Sequence, residues 1–412
     1  MPEERLDRQL RIQGWDQRAL EEARIAVVGD DDLLASLYVL SSSALGLRNF
    51  IILAPGLDPA LREIAERLNP TLSIHFLEGY YSHPALGDLF AGCDAIVDLA
   101  HYGLADKLLL EKGFREGIPV LRAFCYERGD EQGFKMFTYI RGREWEELRE
   151  IVSAENLPRD HFDDGALDII AAGIALEETK NLLMDRRTSE EVISYRRPKP
   201  KGNGYGADVC VVGAGALGNF AGLGLLYSGF RNITFLDPDA VEVANLNRQV
   251  LLADSVGSNK AEALAGTLNR MFGTEVRGVE ARFERDTDIS GYDIVFDCVD
   301  NFETKIVLSE RCREQRKTLV SGGTGVEAGQ VVVYDPMRQK ETPAEVLGLY
   351  EIVGDRGQAH PADGTSCAYA PDPSVIMTNQ IIAGLMVDSL RRLVDGQDAV
   401  NIFYDASSDT RF

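Results

Sequence analysis

Short apolar runs alternate with longer helix-like stretches along this chain, and the alternation occurs twice in the same order. "ARIAVVGDDDLLASLYVLSSSALGLRNFIILAPG" (Ala23–Gly56) runs parallel to "ADVCVVGAGALGNFAGLGLLYSGFRNITFLDPD" (Ala207–Asp239). Each has an apolar run ending in Val-Val-Gly, a helical stretch, then Gly-Leu-Arg-Asn or Gly-Phe-Arg-Asn and a second apolar run. Further on, "GCDAIVDLAHYGLADKLLL" (Gly92–Leu110) parallels "GYDIVFDCVDNFETKIVLS" (Gly291–Ser309). "ALDIIAAGIALEETKNLLM" (Ala166–Met184) parallels "VIMTNQIIAGLMVDSLRRLV" (Val375–Val394). Strand–helix–strand units in series build a mostly parallel sheet covered by helices. The pattern predicts an α/β fold of two tandem Rossmann-like, doubly wound domains. "SYRRPKPKGNGYG" (Ser194–Gly206), rich in proline, glycine and basic residues, has the composition of a linker. The expected division is therefore 1–195, a linker at 196–206, and 207–412.

The two copies are unequal. Gly213, Gly215 and Gly218 stand in GxGxxG spacing after an apolar run and before a helical stretch. Amides at a helix N-terminus bind phosphate through their N–H groups and the helix dipole. Asp237 closes the next apolar run, where such a fold places a ribose-binding carboxylate. The first copy reads "GDDDLL" and keeps only Gly29. Asp30, Asp31 and Asp32 are expected to cap that helix and repel an anion. Ala54 stands at the Asp237 position and His101 at the Asp300 position, so the first copy reads as a nucleotide fold that has lost its nucleotide site.

Composition narrows the functional classes. A chain of 412 residues exceeds one ordinary core. The net charge of -23 argues against nucleic-acid binding, which needs basic surface. No apolar run reaches membrane-spanning length and "MPEERLDRQL" lacks a signal peptide's apolar core, so neither a membrane nor secretion is expected. The six cysteines are scattered without a CxxC pair, which disfavours zinc and disulfides and fits a reducing cytoplasm.

After Asp237 the chain continues "DPDAVEVANLNRQ", then "GSNKAEAL" and "DCVDNFETK". Arg248 and Lys260 are cations placed to point back toward phosphates, and Asp300, at a strand end, suits a magnesium ion. Asp297 reads better as a strand-end residue. With "GAGALG", these successive motifs resemble those of the ubiquitin-activating enzyme family, which includes ThiF-type sulfur-carrier activators and molybdopterin-synthase adenylyltransferases. "RLDRQLRIQGWDQRALEEARIAVVG" resembles the opening of that family's adenylation-inactive half. The resemblance spans nearly the whole chain.

It implies an intramolecular pseudo-dimer of an inactive and an active half. ATP would lie on Gly213, Gly215 and Gly218, with Asp237 on the ribose. Asn245, Arg248, Gln249 and Lys260 would contact the triphosphate and Asp300 would hold Mg2+. Arg8 would be an arginine finger lent by the inactive half, with Leu6, Leu10 and Ile12 packing its segment and Arg8 and Gln9 projecting elsewhere. The implied reaction adenylates the C-terminal carboxylate of a ubiquitin-like protein ending in glycine, for transfer to a conjugating enzyme. The chain departs from the larger activating enzymes in having only a short segment, about 336–373, where they carry a catalytic-cysteine domain. That segment is expected to be a crossover loop. Its Cys367 is either the acyl-accepting nucleophile or an ordinary loop cysteine. If the latter, the reaction stops at the adenylate, on a sulfur carrier, a peptide or another carboxylate. Cys210, Cys298 and Cys312 are expected to be buried. A nicotinamide-dependent oxidoreductase would leave "NLNRQ", Lys260 and Asp300 unexplained.

Overall fold

The computed structural model describes residues 2–412 except 31–32, 143–150, 159–162, 203–205, 360–372, 399 and 409–410. Each half folds around a seven-stranded sheet. In the first half the strands are β1 (Arg24–Val28), β2 (Asn49–Ala54), β3 (Ser73–Glu78), β4 (Ala95–Asp98), β5 (Val120–Arg128), β6 (Glu131–Tyr139) and β7 (Ile193–Pro198). In the second they are β8 (Asp208–Val212), β9 (Asn232–Leu236), β10 (Arg277–Val279), β11 (Ile294–Asp297), β12 (Thr318–Thr324), β13 (Ala328–Tyr334) and β14 (Ile402–Asp405). The orders are β3-β2-β1-β4-β5-β6-β7 and β10-β9-β8-β11-β12-β13-β14. In both, the first five strands are parallel, the sixth runs antiparallel to them, and the last pairs antiparallel to the sixth. The strand order reverses between β1 and β4, and again between β8 and β11. Ligands of open α/β sheets bind at this switch point, beyond the carboxyl ends of the strands.

Two helices, Leu167–Leu183 and Ile376–Val394, join the halves. They cross where each carries a glycine. A Cβ on Gly173 would fall 2.7 Å from Ile381 Cγ1, and one on Gly384 would fall 2.5 Å from Ile170 Cγ1. Both helices are buried on nearly every face because each is covered by its own sheet and by the other half. One continuous apolar cluster runs from Leu20 in the first half to Tyr404 in the second.

The shared core also contains charge. Tyr195 of β7 donates to Asp388 Oδ2 at 2.5 Å, and Tyr404 of β14 donates to Glu177. Each half's last strand thus hydrogen-bonds a carboxylate on the other half's long helix. Arg197 pairs with both Asp164 and Asp388, and Arg391 also donates to Asp164 at 2.6 Å. Although burial opposes ionisation of Asp164, the two guanidiniums hold its pKa below the ordinary value.

This network moves the expected linker boundary. Residues 196–198 belong to β7, paired with β6, and Arg197 is buried, so the connection between the halves begins after Pro198. The "RRPKP" composition that marks a linker here also contains an interior cation. The expected crossover loop needs a second correction. Pro343–Val346 and Leu349–Ala359 are helical, and Ala344 and Leu349 pack with Ile306 in a small apolar cluster. Thr342 and Glu345 form a reciprocal capping box at the start of the first helix.

Removing one member of a buried ion network leaves its partners uncompensated. Arg197→Ala is expected to lower the unfolding free energy in urea by about 3–5 kcal/mol.

Candidate active site

The three glycines do three different things. Gly213 has φ +99°, and a Cβ there would fall 2.6 Å from Cys298 O. A Cβ on Gly218 would fall 2.0 Å from Gly213 O. These two glycines let the turn form and the helix Ala216–Tyr227 pack against it. At Gly215 an added Cβ would meet only Gln249 Nε2, at 3.6 Å. Gly215 therefore leaves open the approach to the backbone at the N-terminus of that helix. Gln249 is nearly fully buried, and its Oε1 has no hydrogen-bond partner.

Asp237, at the end of β9, accepts hydrogen bonds from Ala214 N at 2.8 Å and Asp239 N at 2.9 Å. It braces the glycine turn from below, and burial raises its pKa against the pull of those two N–H donors. Asn219 braces the turn from the helix side. Its Nδ2 donates to Ala214 O and Gly215 O, each at 2.9 Å, while its Oδ1 accepts from Leu251 N at 3.0 Å. The sequence reading missed Asn219, although it directly follows Gly218.

Beyond β9 the chain turns through the 3-10 segment Val243–Asn245. Asn245 Oδ1 accepts from Glu242 N at 3.1 Å, so this end of the amide fixes the turn and does not face outward. Arg248 is buried, and its Nη1 donates to Ala244 O at 3.0 Å and Asn247 Oδ1 at 2.8 Å. Lys260 begins the helix Lys260–Phe272, capped by Asn259, and its Nζ lies 3.0 Å from Asp239 Oδ2. Asp300 is exposed just beyond the end of β11.

The N-terminal helix Pro2–Leu10 belongs to the first half but packs on this turn of the second. Gln9, fully buried, accepts from Asn247 Nδ2 at 3.1 Å. Leu6 is buried, whereas Leu10 is 45% exposed. The expected packing face is therefore corrected, with Gln9 turned inward and Leu10 outward. The charge of Arg8 reaches Arg248. Burial first, and Arg8 second, lower the Arg248 pKa to about 10, opposed by Asp300 and Glu242. Arg8 and Asp300 thus both act on the charge of Arg248, whose neighbour Gln249 faces Gly215.

Asp297 is a structural residue, as its strand-end reading implied. It is buried, takes both Lys305 contacts at 3.0 Å, and accepts from Ser321 Oγ at 2.6 Å.

In the first half the corresponding place is filled from within. Asp30 Oδ2 accepts from His101 N at 2.7 Å and lies 3.0 Å from His101 Nδ1. The sequence expectation that Asp30 caps the following helix is corrected: its Oδ2 is taken by His101, and its Oδ1 has no partner among the described residues. Asp163 Oδ1 accepts from Leu33 N at 3.1 Å at the start of that helix. Asp31 and Asp32 lie outside the described residues.

Cysteine chemistry is confined in the same way. Cys93, Cys125, Cys210, Cys298 and Cys312 are buried. Burial pushes the Cys210 thiol up to about 12, and raises Cys298 and Cys312 further. None of these three is poised as a thiolate. Cys367 lies outside the described residues, as does most of the remaining crossover segment. Among the described residues no helix is long and apolar enough to cross a membrane.

Fold and site together define a paired α/β protein in which the second half keeps an open glycine turn and the first sets Asp30 against His101 at the corresponding place. The ThiF family model matches residues 206–408. The SAMP-activating enzyme E1 of Haloferax volcanii is 34% identical over 158 residues, covering 37% of this chain and 58% of that protein. The tRNA threonylcarbamoyladenosine dehydratase of Escherichia coli is 35% identical over 182 residues, covering 41% and 68%. The adenylyltransferase and sulfurtransferase MOCS3 of Aedes aegypti is 36% identical over 135 residues, covering 31% of each chain. The chain belongs to the ThiF family. It spans from a third to two thirds of the length of these relatives.

The glycine geometry separates folding from binding. Gly218→Ala is expected to destabilise the protein by about 1–3 kcal/mol or more through overpacking. Gly215→Ala is expected to keep its melting temperature within a few degrees and to weaken ATP binding about tenfold or more, measured by calorimetry.

Proposed function

We propose that this chain uses ATP to adenylate the C-terminal carboxylate of a small carrier protein of the ubiquitin-like type. The observation that carries this reading is the docking of the first half's N-terminal helix, which bears Arg8, on the turn of the second half that holds Arg248 and, next to it, Gln249 beside the open Gly215. Arg8 lowers the pKa of buried Arg248, and a bound polyanion would offset that repulsion. Gln249 adds a polar group there, its Nε2 facing Gly215 and its buried Oε1 without a hydrogen-bond partner.

The carrier carboxylate is already ionised at neutral pH and needs no general base. One of its oxygens bonds to the α-phosphorus while the bond from that phosphorus to the bridging oxygen breaks, and pyrophosphate leaves with the electron pair. Arg8, Arg248 and Lys260 would neutralise the triphosphate and the charge growing on pyrophosphate. Lys260 would exchange its contact with exposed Asp239 for phosphate. Asp237 would take the ribose hydroxyls on the outer side of the carboxylate that braces the turn. Among the described residues no three acidic, histidine or cysteine groups cluster as a metal site. A lone exposed Asp300 fits Mg2+ nonetheless, because that ion is commonly held by one or two carboxylates together with substrate phosphates. The ion would supply further neutralisation of the triphosphate. The Asp30–His101 pair supports one nucleotide per chain, in the second half.

ATP–pyrophosphate exchange tests the reading. Arg8→Ala and Lys260→Ala are expected to slow exchange by about 10³-fold at most while leaving the melting temperature nearly unchanged. Wild-type exchange in folded Arg8→Ala would show that the first half lends no arginine.

The similarity to a tRNA-modifying dehydratase favours a second reading, in which a carboxylate is adenylated without an enzyme thioester. The -23 charge weighs against RNA as its carrier. Under the first reading Cys367 accepts the acyl group for delivery to a conjugating enzyme. A reducible carrier–enzyme adduct on a gel is then expected from the wild type and not from Cys367→Ala. Exchange without any adduct would support the second reading.

A further inference from the structure

Arg248 is held by a side chain that is itself held from the other half. The Leu45 carbonyl can only accept a hydrogen bond. Gln9 therefore presents its amide nitrogen to it, at 2.7 Å, and to Gln17 Oε1 at 2.6 Å. Both amide protons of Gln9 are then used, and its Oε1 must face Asn247. Asn247 answers with Nδ2 at 3.1 Å, which turns its Oδ1 toward Arg248 Nη1 at 2.8 Å. Gln9 and Asn247 are fully buried, so water does not compete for these bonds. A backbone carbonyl in one half thus fixes the direction of every hydrogen bond up to a guanidinium in the other.

We propose that Gln9 and Asn247 are positioning residues that orient the Arg248 guanidinium toward the nucleotide phosphates. The relay runs through the N-terminal helix that also carries Arg8, so seating that helix would set both arginines at once. The effect on rate rests on the adenylation reading, whereas the effect on Arg248 itself does not.

Two measurements test this. First, the guanidinium of Arg248 is followed by NMR, its signals assigned by their loss in Arg248→Lys. In the wild type, hydrogen bonds from Nη1 hinder rotation and separate the Nη signals. Asn247→Ala, which leaves Nη1 only the Ala244 carbonyl, is expected to narrow that separation and speed the rotation in a folded protein. Unchanged separation would overturn the proposal. Second, ATP–pyrophosphate exchange is measured in Asn247→Ala and Gln9→Ala. Each is expected to lose up to about 10²-fold in kcat, with the KM for ATP altered much less. The exchange of amides, Gln9→Asn with Asn247→Gln, keeps the total length of the relay and should recover most of the rate. In an Arg248→Ala background, Asn247→Ala should cost nothing further. Equal loss in both backgrounds would mean that Asn247 acts through the fold and not through Arg248. Absence of exchange in the wild type would count against adenylation alone, because the NMR measurement decides the positioning independently.

Discussion

Two helices crossing at Gly173 and Gly384 are the constraint on which the rest depends. With any side chain at either position, the helices would be forced apart by contacts with Ile381 or Ile170. Their close approach merges two sheets into one core and brings Tyr195 and Tyr404 within reach of carboxylates on the opposite long helices. The same docking places the N-terminal helix on the turn that holds Arg248. The distance between the helices therefore sets the geometry of a site built around neither of them.

Within that frame the two halves solve one electrostatic problem differently. Asp98 ends β4 and Asp297 ends β11, both fully buried. Asp297 is neutralised from its helix by Lys305, and its strand neighbour is Ser321. Asp98 faces the reverse arrangement. Its strand neighbour is Arg122, and the helix supplies Asp106, which lies 3.1 Å from Arg122. The cation has changed elements while the acid at the strand end has stayed. At the glycine turn, by contrast, the halves differ in kind. The second keeps the approach open at Gly215, and the first sets Asp30 against His101.

Much of this was legible because it is local or periodic. Alternating apolar runs and helical stretches yield the mostly parallel α/β class, and repeated Val-Val-Gly and Arg-Asn landmarks reveal the duplication. The glycines follow β8, Asp237 follows β9, and Arg248 and Lys260 lie in the connection after β9, so a short stretch of sequence carries them all past the carboxyl ends of neighbouring strands. What was not legible depends on contacts distant in sequence. Gln9 is polar and Leu10 apolar, so pattern alone turns Leu10 inward. Only the opposing Asn247 and the Leu45 carbonyl reverse that choice. Arg197 looks like a linker cation until Asp164 and Asp388 converge on it. The helix at Pro343 is a different case, since "TPAE" is itself a capping-box signature and was readable. The glycines that follow it suggested a loop, and that composition outweighed the local signal.

The seating of the N-terminal helix has a consequence for molecularity. When two separate subunits exchange a helix, occupancy of the contact falls as the protein is diluted. Here donor and acceptor surfaces lie on one chain, and their encounter is governed by an effective concentration that dilution does not change. The contact between Gln9 and Asn247 is therefore indifferent to how much protein a cell makes. A duplicated half bound in this way is free to lose its own binding turn, because it can never be left paired with a second copy equally lacking one.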